Sequence, residues 1–251
     1  MLAGLLAMSM IGLYEFYRAL RQGAHKPFAV VGMAAAALYY VGVFLLEKQI
    51  FEGNLFLYFV IGLLVLLMVL CVTGYPERSA EDAALTLLGV IYVAVFFSLL
   101  YRIRRQQDGQ FFVWYVFLAS WGCDTCAYLA GRAFGRRKLV PELSPHKTVA
   151  GAVGGVAGGI LLSMVYTLFI RSHVGMEPVR LFIMAALCGL VGAVLSQFGD
   201  LFASAVKRKT GIKDYGKLIP GHGGILDRFD STLMVTPLIM LLIDLFIRTA
   251  G

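Results

Sequence analysis

LFLYFVIGLLVLLMVLCVTG, residues 55–74, continues for twenty residues without a charged side chain. A helix rises 1.5 Å per residue, so this stretch reaches across a hydrocarbon core roughly 30 Å thick. Similar runs recur near 1–17, 28–46, 84–101, 111–131, 150–170, 181–203 and 231–248. The chain is 59% apolar and 15% charged, against about 45–50% and about 25% in soluble domains. The pattern predicts an all-α, polytopic helical integral membrane protein with about eight transmembrane helices. The first run has no basic segment before it, and Glu15 and Arg18 stand where a cleavage site would need small residues. It therefore reads as a membrane helix and not as a secretory signal. The connections are too short for a separate soluble domain, so any chemistry falls to loops and helix ends.

The net charge of +7 is informative through its distribution. With the loop bearing Arg18, Arg21 and Lys26 in the cytoplasm, strict alternation puts both termini outside. The cytoplasmic side then carries 15 of the 22 Lys and Arg, in keeping with the positive-inside bias. Arg102, Arg104 and Arg105 run against it; either they snorkel to headgroups or one span is misplaced. The four cysteines all fall in expected helices. Cys123-x-x-Cys126 has no second pair beside it and reads as small packing residues.

A carboxylate near the centre of a bilayer costs about 2.5–3.5 kcal/mol on insertion scales, so it needs a partner or a use. Asp124 shares a helix face with Tyr128 and Arg132, and Asp200 shares one with Ser196 and Ser204, which leads on to Lys207 and Arg208. Asp227 and Asp230 open the last helix. Ion pairing that only helps helices pack is one reading. Four carboxylates that converge at the cytoplasmic ends of three helices would instead bind a metal. Oxygen ligands without a His/Cys cluster suit Mg²⁺ or Mn²⁺, and Mg²⁺ fills its remaining positions with water and substrate phosphate. That chemistry points to a phosphate-bearing substrate.

Loop 132–148, RAFGRRKLVPELSPHKT, carries five Lys and Arg. Its Ser144-Pro145 pair predicts a helix start, where backbone amides beside Lys147 would favour an anion. An ordinary positive-inside loop with a capped helix is the alternative. Gly151, Gly155 and Gly159 follow at four-residue spacing, the pattern of closely approaching membrane helices.

The most charged connection is KRKTGIKDYGKLIPGHGGILDRFD, Lys207–Asp230, with six Lys and Arg, three Asp and five Gly in 24 residues. Gly216, Pro220, Gly221, Gly223 and Gly224 exclude a continuous helix between Lys217 and Ile225. Backbone of that kind can lie close to a ligand, and His222 sits between two of the glycines.

From Ser204 to Asp230 the chain resembles the signature of the phosphatidate cytidylyltransferases, the CDP-diglyceride synthases. That signature reads S-x-x-K-R, four residues, K-D-x-G, then I/L-P-x-H-G-G-x-x-D-R-x-D, and every fixed position is matched here. The resemblance extends upstream through Asp124-Thr125, Ala127-Tyr128, Gly131-Arg132, Phe134-Gly135 and Ser144-Pro145-x-Lys147-Thr148, from about residue 111. The earlier helices are similar only in being apolar. The expected organisation is therefore N-terminal transmembrane helices over 1–110 and a catalytic transmembrane region over 111–251 with cytoplasmic loops 132–148 and 204–230. Family members often carry one more N-terminal span, which implies a chain that starts late.

The resemblance implies transfer of CMP from CTP to phosphatidic acid, giving CDP-diacylglycerol and pyrophosphate. The expected setting is a bacterial inner membrane, with the site facing the cytoplasm. It implies Asp200 and Asp227 as ligands of Mg²⁺, with Asp230 and Asp124 as further metal-side candidates and a second or monovalent cation left open. Asp200, Asp227, Lys207, Arg208 and His222 are the expected catalytic set. Lys147, Ser144, Ser204, Lys213, Asp214, Gly223, Gly224 and Arg228 are expected to bind substrate. The expected partners are CTP, phosphatidic acid and membrane lipids; no nucleic acid is expected, and a homodimer is left open. The chain departs from the family at His146, Val149-Ala150 and Ala203, where Lys, Trp-Glu and Glu are usual, so two customary carboxylates are missing. Two other readings stay open: a related transferase acting on another lipid phosphate, and a transporter using the intramembrane aspartates.

Overall fold

The structure, a computed structural model, describes residues 1–50, 53–218, 220–221 and 223–248. Its helices are α1 (Leu2–Gln22), α2 (Ala29–Glu47), α3 (Leu55–Thr73), α4 (Ala80–Gly89), α5 (Phe96–Arg105), α6 (Gly109–Phe117), α7 (Cys123–Phe134), α8 (Val149–Ile170), α9 (Pro178–Lys209) and α10 (Ile225–Arg248). π-Helical stretches at Val90–Val95 and Leu118–Gly122 join α4 to α5 and α6 to α7. Strands β1 (Lys138–Val140) and β2 (Ser144–Thr148) form an antiparallel hairpin.

The expectation of a polytopic helical membrane protein is borne out. Among the described residues six helices are long and apolar enough to cross a membrane: Ala29–Glu47, Leu55–Thr73, Ala80–Arg105, Val149–Ile170, Pro178–Thr210 and Ile225–Arg248. The other two expected spans, 1–17 and 111–131, are helical as well, but Glu15 and Arg18 in one and Asp124 in the other dilute their apolar character.

The chain divides into two compact units, and the divisions fall inside α5, α9 and α10. The first comprises Met1–Ser98 with Val206–Arg228. Its centre is the face of α1 carrying Leu13, Phe16 and Tyr17, all essentially inaccessible. A methyl at Gly12 would stand 3.0 Å from Val93 Cγ1, so α1 lies close against the π-helical stretch. Buried polar groups are paired, as an apolar setting requires. The Tyr17 hydroxyl donates to the Thr86 carbonyl at 2.8 Å, and the Ser9 and Tyr40 hydroxyls meet at 2.8 Å. Ser79 and Asp82 form a capping box at the start of α4. Helix α3 buries only Leu63 and Leu67, so the rest of this charge-free stretch suits lipid.

The second unit comprises Leu99–Ala205 with Phe229–Gly251. Here the glycines of α8 do what their spacing predicts. A methyl at Gly155 would lie 2.9 Å from both Ala127 Cβ and Cys123 Sγ on α7, and one at Gly159 would lie 2.8 Å from Ala193 Cβ on α9. Cys123 is buried and no cysteine is in a disulfide, in line with the packing role.

One expectation is corrected. Ser144-Pro145 does not start a helix: residues 144–148 form β2, paired so that Lys138 faces Thr148 and Val140 faces Ser144. Thr148 takes the cap instead, with an extended backbone and a side-chain oxygen that accepts the Gly151 N–H at 3.1 Å. Proline cannot donate to a ladder, but a short edge strand tolerates it.

Gly155→Ala is expected to lower unfolding stability by about 1–3 kcal/mol through overpacking of α7 on α8. At Gly62 a methyl would meet nothing within 4 Å, and Gly62→Ala should be neutral or stabilising by up to about 1 kcal/mol. Unfolding midpoints of the two variants in one mild detergent check both.

Candidate active site

In the second unit, α7, the β1–β2 hairpin, α8 and α9 enclose a cavity of about 580 Å³. Asp124, Tyr128 and Arg132 all line it, so the polar seam of α7 faces an opening and not a packed partner. Lys138, Lys147 and Asp200 line it too. Lys147 Nζ lies 2.6 Å from Asp200 Oδ2 and donates to the Gln197 carbonyl at 3.3 Å. Gln197 in turn donates from its side chain to the Ala152 carbonyl at 3.1 Å, which ties α9 to the start of α8. The Ser231 hydroxyl donates to Asp124 Oδ2 at 3.4 Å, and the Ser231 amide donates to Asp230 Oδ1 at 2.7 Å. Two carboxylates thus face three cationic side chains around this cavity, an arrangement that suits anionic phosphates and a hard cation.

The first unit holds a second cluster. Asp227, in the first turn of α10, has a nearly buried side chain at 4% exposure. Its Oδ1 lies 3.0 Å from Lys207 Nζ, while Oδ2 accepts the Tyr215 N–H at 2.8 Å and the Gly224 N–H at 3.0 Å. Lys207 Nζ also lies 5.4 Å from the centroid of the buried Tyr215 ring. Gly223 has φ +82° and a methyl there would lie 2.8 Å from Asp227 Oδ2, so glycine is needed on both counts. Glu15 reaches the same place from α1. Its Oε1 accepts the Ile225 N–H at 3.2 Å and its Oε2 accepts the Leu226 N–H at 2.9 Å. Arg18 donates to the Tyr215 carbonyl at 2.6 Å. Beside this cluster lies a cavity of about 510 Å³ lined by Arg18, Gln22, Lys213, Asp214, Tyr215 and Lys217, among others.

The expected site residues therefore fall into two groups. Asp124, Asp200, Lys147 and Ser144 gather around the first cavity. Asp227, Lys207, Gly223 and Gly224 form the loop cluster, with Lys213 and Asp214 on the second cavity. Ser204 is half-buried on α9, Arg208 and Arg228 are exposed, and Asp230 is buried. His222 lies outside the described residues. Among the described residues, no three His, Cys, Asp or Glu side chains are grouped as a set able to hold a metal ion. Asp124 and Asp200 offer hard oxygens on the wall of a roomy cavity and suit Mg²⁺. Both oxygens of Asp227 already accept hydrogen bonds, so a cation there would replace the Lys207 ammonium.

A family model described as the cytidylyltransferase family matches residues 1–246. The chain belongs to the cytidylyltransferase family. It is 33% identical over 243 residues to the phosphatidate cytidylyltransferase of Bacillus subtilis, covering 96% of this chain and 87% of that one. It is 36% identical over 191 residues to the protein of that name in Staphylococcus haemolyticus, covering 76% and 70%. A Staphylococcus epidermidis relative with the same name is 40% identical over 165 residues, covering 66% of this chain and 60% of that protein. The family match takes in the N-terminal helices, which the signature does not.

That wider match has a physical counterpart. Glu15 and Arg18 hold the signature loop, yet reading the sequence gives Glu15 only a part in excluding a signal peptide, and Arg18 that part and one in the charge bias. The argument that singles out Asp124, a carboxylate in an apolar helix, applies equally to Glu15 and marks it. Gln197 and Lys138 also line the first cavity without any sequence signal beyond their position. At the departures from the family, His146 lines that cavity and Ala203 is fully buried.

The two ion pairs differ in burial, and so in their weight for stability. Lys207→Met would strand the nearly buried Asp227 carboxylate and is expected to cost on the order of 3 kcal/mol. Lys147→Met breaks a pair whose side chains are 22% and 34% exposed, and should cost about 1 kcal/mol or less. Chemical unfolding of the two variants in the same detergent tests the difference.

Proposed function

We propose that this chain transfers CMP from CTP to phosphatidic acid, producing CDP-diacylglycerol and pyrophosphate, at the cytoplasmic face of a bacterial inner membrane. The observation that carries this reading is the cavity in which Asp124 and Asp200 face Arg132, Lys138 and Lys147. Family membership supplies the reaction type, and the relatives' shared name supplies the lipid acceptor.

In the reaction, an oxygen of the lipid phosphate forms a bond to the α-phosphorus of CTP as the bond to the β-phosphate bridging oxygen breaks. Pyrophosphate leaves with the electron pair. Two anions must approach, and charge then builds on the leaving group, so fixed cations that meet it lower the barrier. Lys147 is suited to this because its partner Asp200 is partly exposed, which lets the ammonium turn to a phosphate at little cost. Arg132 and Lys138 face the same opening, and the Ser144 hydroxyl is a donor on its wall. Lys213, Arg208, Arg228 and the Gly223–Gly224 backbone are assigned to the phosphates of the nucleotide, Asp214 to its polar groups, and His222 to the leaving pyrophosphate. Ser204 is assigned to substrate positioning. Asp200 and Asp227 are each assigned as ligands of Mg²⁺, with Asp124 and Asp230 in support; when bound, the ion neutralises phosphate oxygens. The residues from 111 onward are taken to supply most of this chemistry. The acyl tails remain in the bilayer while the nucleotide arrives from water.

The test is formation of CDP-diacylglycerol from labelled CTP and phosphatidic acid with Mg²⁺, comparing the full chain with Asp227→Asn and Lys147→Ala. Product from the unaltered chain is expected, with kcat lowered about 100-fold or more in each variant. Product with another lipid phosphate but not with phosphatidic acid would reassign the acceptor. Equal rates in all three proteins would remove Asp227 and Lys147 from the site.

A further inference from the structure

We infer that Glu15 and Arg18 of α1 act as a clamp that positions Tyr215, Gly216 and Gly224–Asp227, which makes Glu15 a positioning residue for the transfer. The inference rests on the function proposed above. Four observations within the first unit carry it.

Glu15 is 4% exposed within α1, a costly place for a carboxylate. Both of its oxygens are used on one target, the N–H groups of Ile225 and Leu226. Those are the first two residues of α10, where amides have no partner within their own helix and the dipole favours negative charge. Arg18, one turn further along α1, takes the Tyr215 carbonyl, while the N–H of the same residue goes to Asp227. The peptide groups on both sides of Tyr215 are thus fixed, one by α1 and one by the aspartate.

The glycines supply the fourth observation. A methyl at Gly216 or at Gly224 would overlap the Glu15 carboxylate, and one at Gly216 would also lie 2.8 Å from the Gly224 Cα. Gly224 is also a donor to Asp227 Oδ2. These two signature glycines therefore make room for a side chain from α1. Neither has a φ that only glycine adopts; among the described residues, the positive-φ glycines of this loop are Gly211, Gly221 and Gly223. Removing Glu15 would release the amides that start α10 and loosen Gly224, and through them shift Asp227, without touching substrate.

The experiment uses the full chain in detergent–lipid micelles with four variants: Glu15→Ala, Glu15→Gln, Gly224→Ala and the double variant Glu15→Ala/Gly224→Ala. Three quantities are read: kcat and KM for CTP, amide hydrogen exchange, and the thermal midpoint. Glu15→Ala should lower kcat at least tenfold and speed exchange at Tyr215 and Gly224–Leu226 by tenfold or more, with exchange in α8 unchanged. Glu15→Gln, which keeps one acceptor oxygen and the same shape, should recover part of kcat. Gly224→Ala should be severe alone, yet add little to Glu15→Ala, because the carboxylate it would strike is gone. Unchanged kcat in Glu15→Ala would overturn the clamp. So would faster exchange throughout the chain, which would make Glu15 a general determinant of folding, or full additivity of the two substitutions. If the unaltered chain makes no CDP-diacylglycerol while Glu15→Ala still loosens only Tyr215 and Gly224–Leu226, the proposed reaction fails and so does the positioning role for it; the structural clamp alone would stand.

Discussion

The carboxylate of Asp227 organises the most charged connection of this chain. A nearly buried acid must be met by donors, and three meet it: the Lys207 ammonium and the amides of Tyr215 and Gly224. They come from the end of α9, the middle of the connection and the residue just before α10, so a single side chain closes the segment on itself. The glycines follow from that closure. Gly223 must turn through a left-handed conformation to bring the next amide to the acid, and a side chain there would collide with it. Lys209, Lys213 and Lys217 of the same connection remain exposed, and the closure does not use them.

The bilayer imposes the complementary constraint on the helices. Backbone within it must be satisfied internally, and polar side chains need a partner or an opening. Helix α3 meets the demand by having almost nothing polar to hide. Helix α8 meets it with glycines that let its neighbours approach to van der Waals contact. Helix α7 does neither. Its seam of Asp124, Tyr128 and Arg132 borders a cavity, so that polarity is solvated by the opening that it helps to form.

What was legible in the sequence follows this division. Spans such as 55–74 are readable because length and apolarity are properties of one segment. The seams of α7 and α9 are readable because helical spacing places their residues on one face. The start of α8 is not, since Ser144-Pro145 and Thr148 are both credible caps and only pairing of β1 with β2 decides between them. The loop was legible by its resemblance to a family signature, not by physics, because its closure joins residues twelve and twenty positions apart, one through a backbone amide and the other through an ion pair. The role of Glu15 was the least accessible. Its partners lie 210 and 211 residues further along the chain, and no local pattern announces such a contact.

The two lysine–aspartate pairs show how one chain separates structural from exchangeable charge. Lys207 and Asp227 are 15% and 4% exposed, and the acid has two further donors, so this pair sets the loop's shape. Lys147 and Asp200 are more open, at 22% and 34%, and border a cavity large enough for phosphate groups. Water screens an open pair and weakens it, which allows either partner to turn to a ligand at small cost. A buried pair resists that exchange unless a cation takes the ammonium's place, because separating its charges otherwise leaves one of them unsolvated. Under the transfer proposed above, the buried pair would hold the loop in shape, and the open pair would supply a cation able to turn to a phosphate.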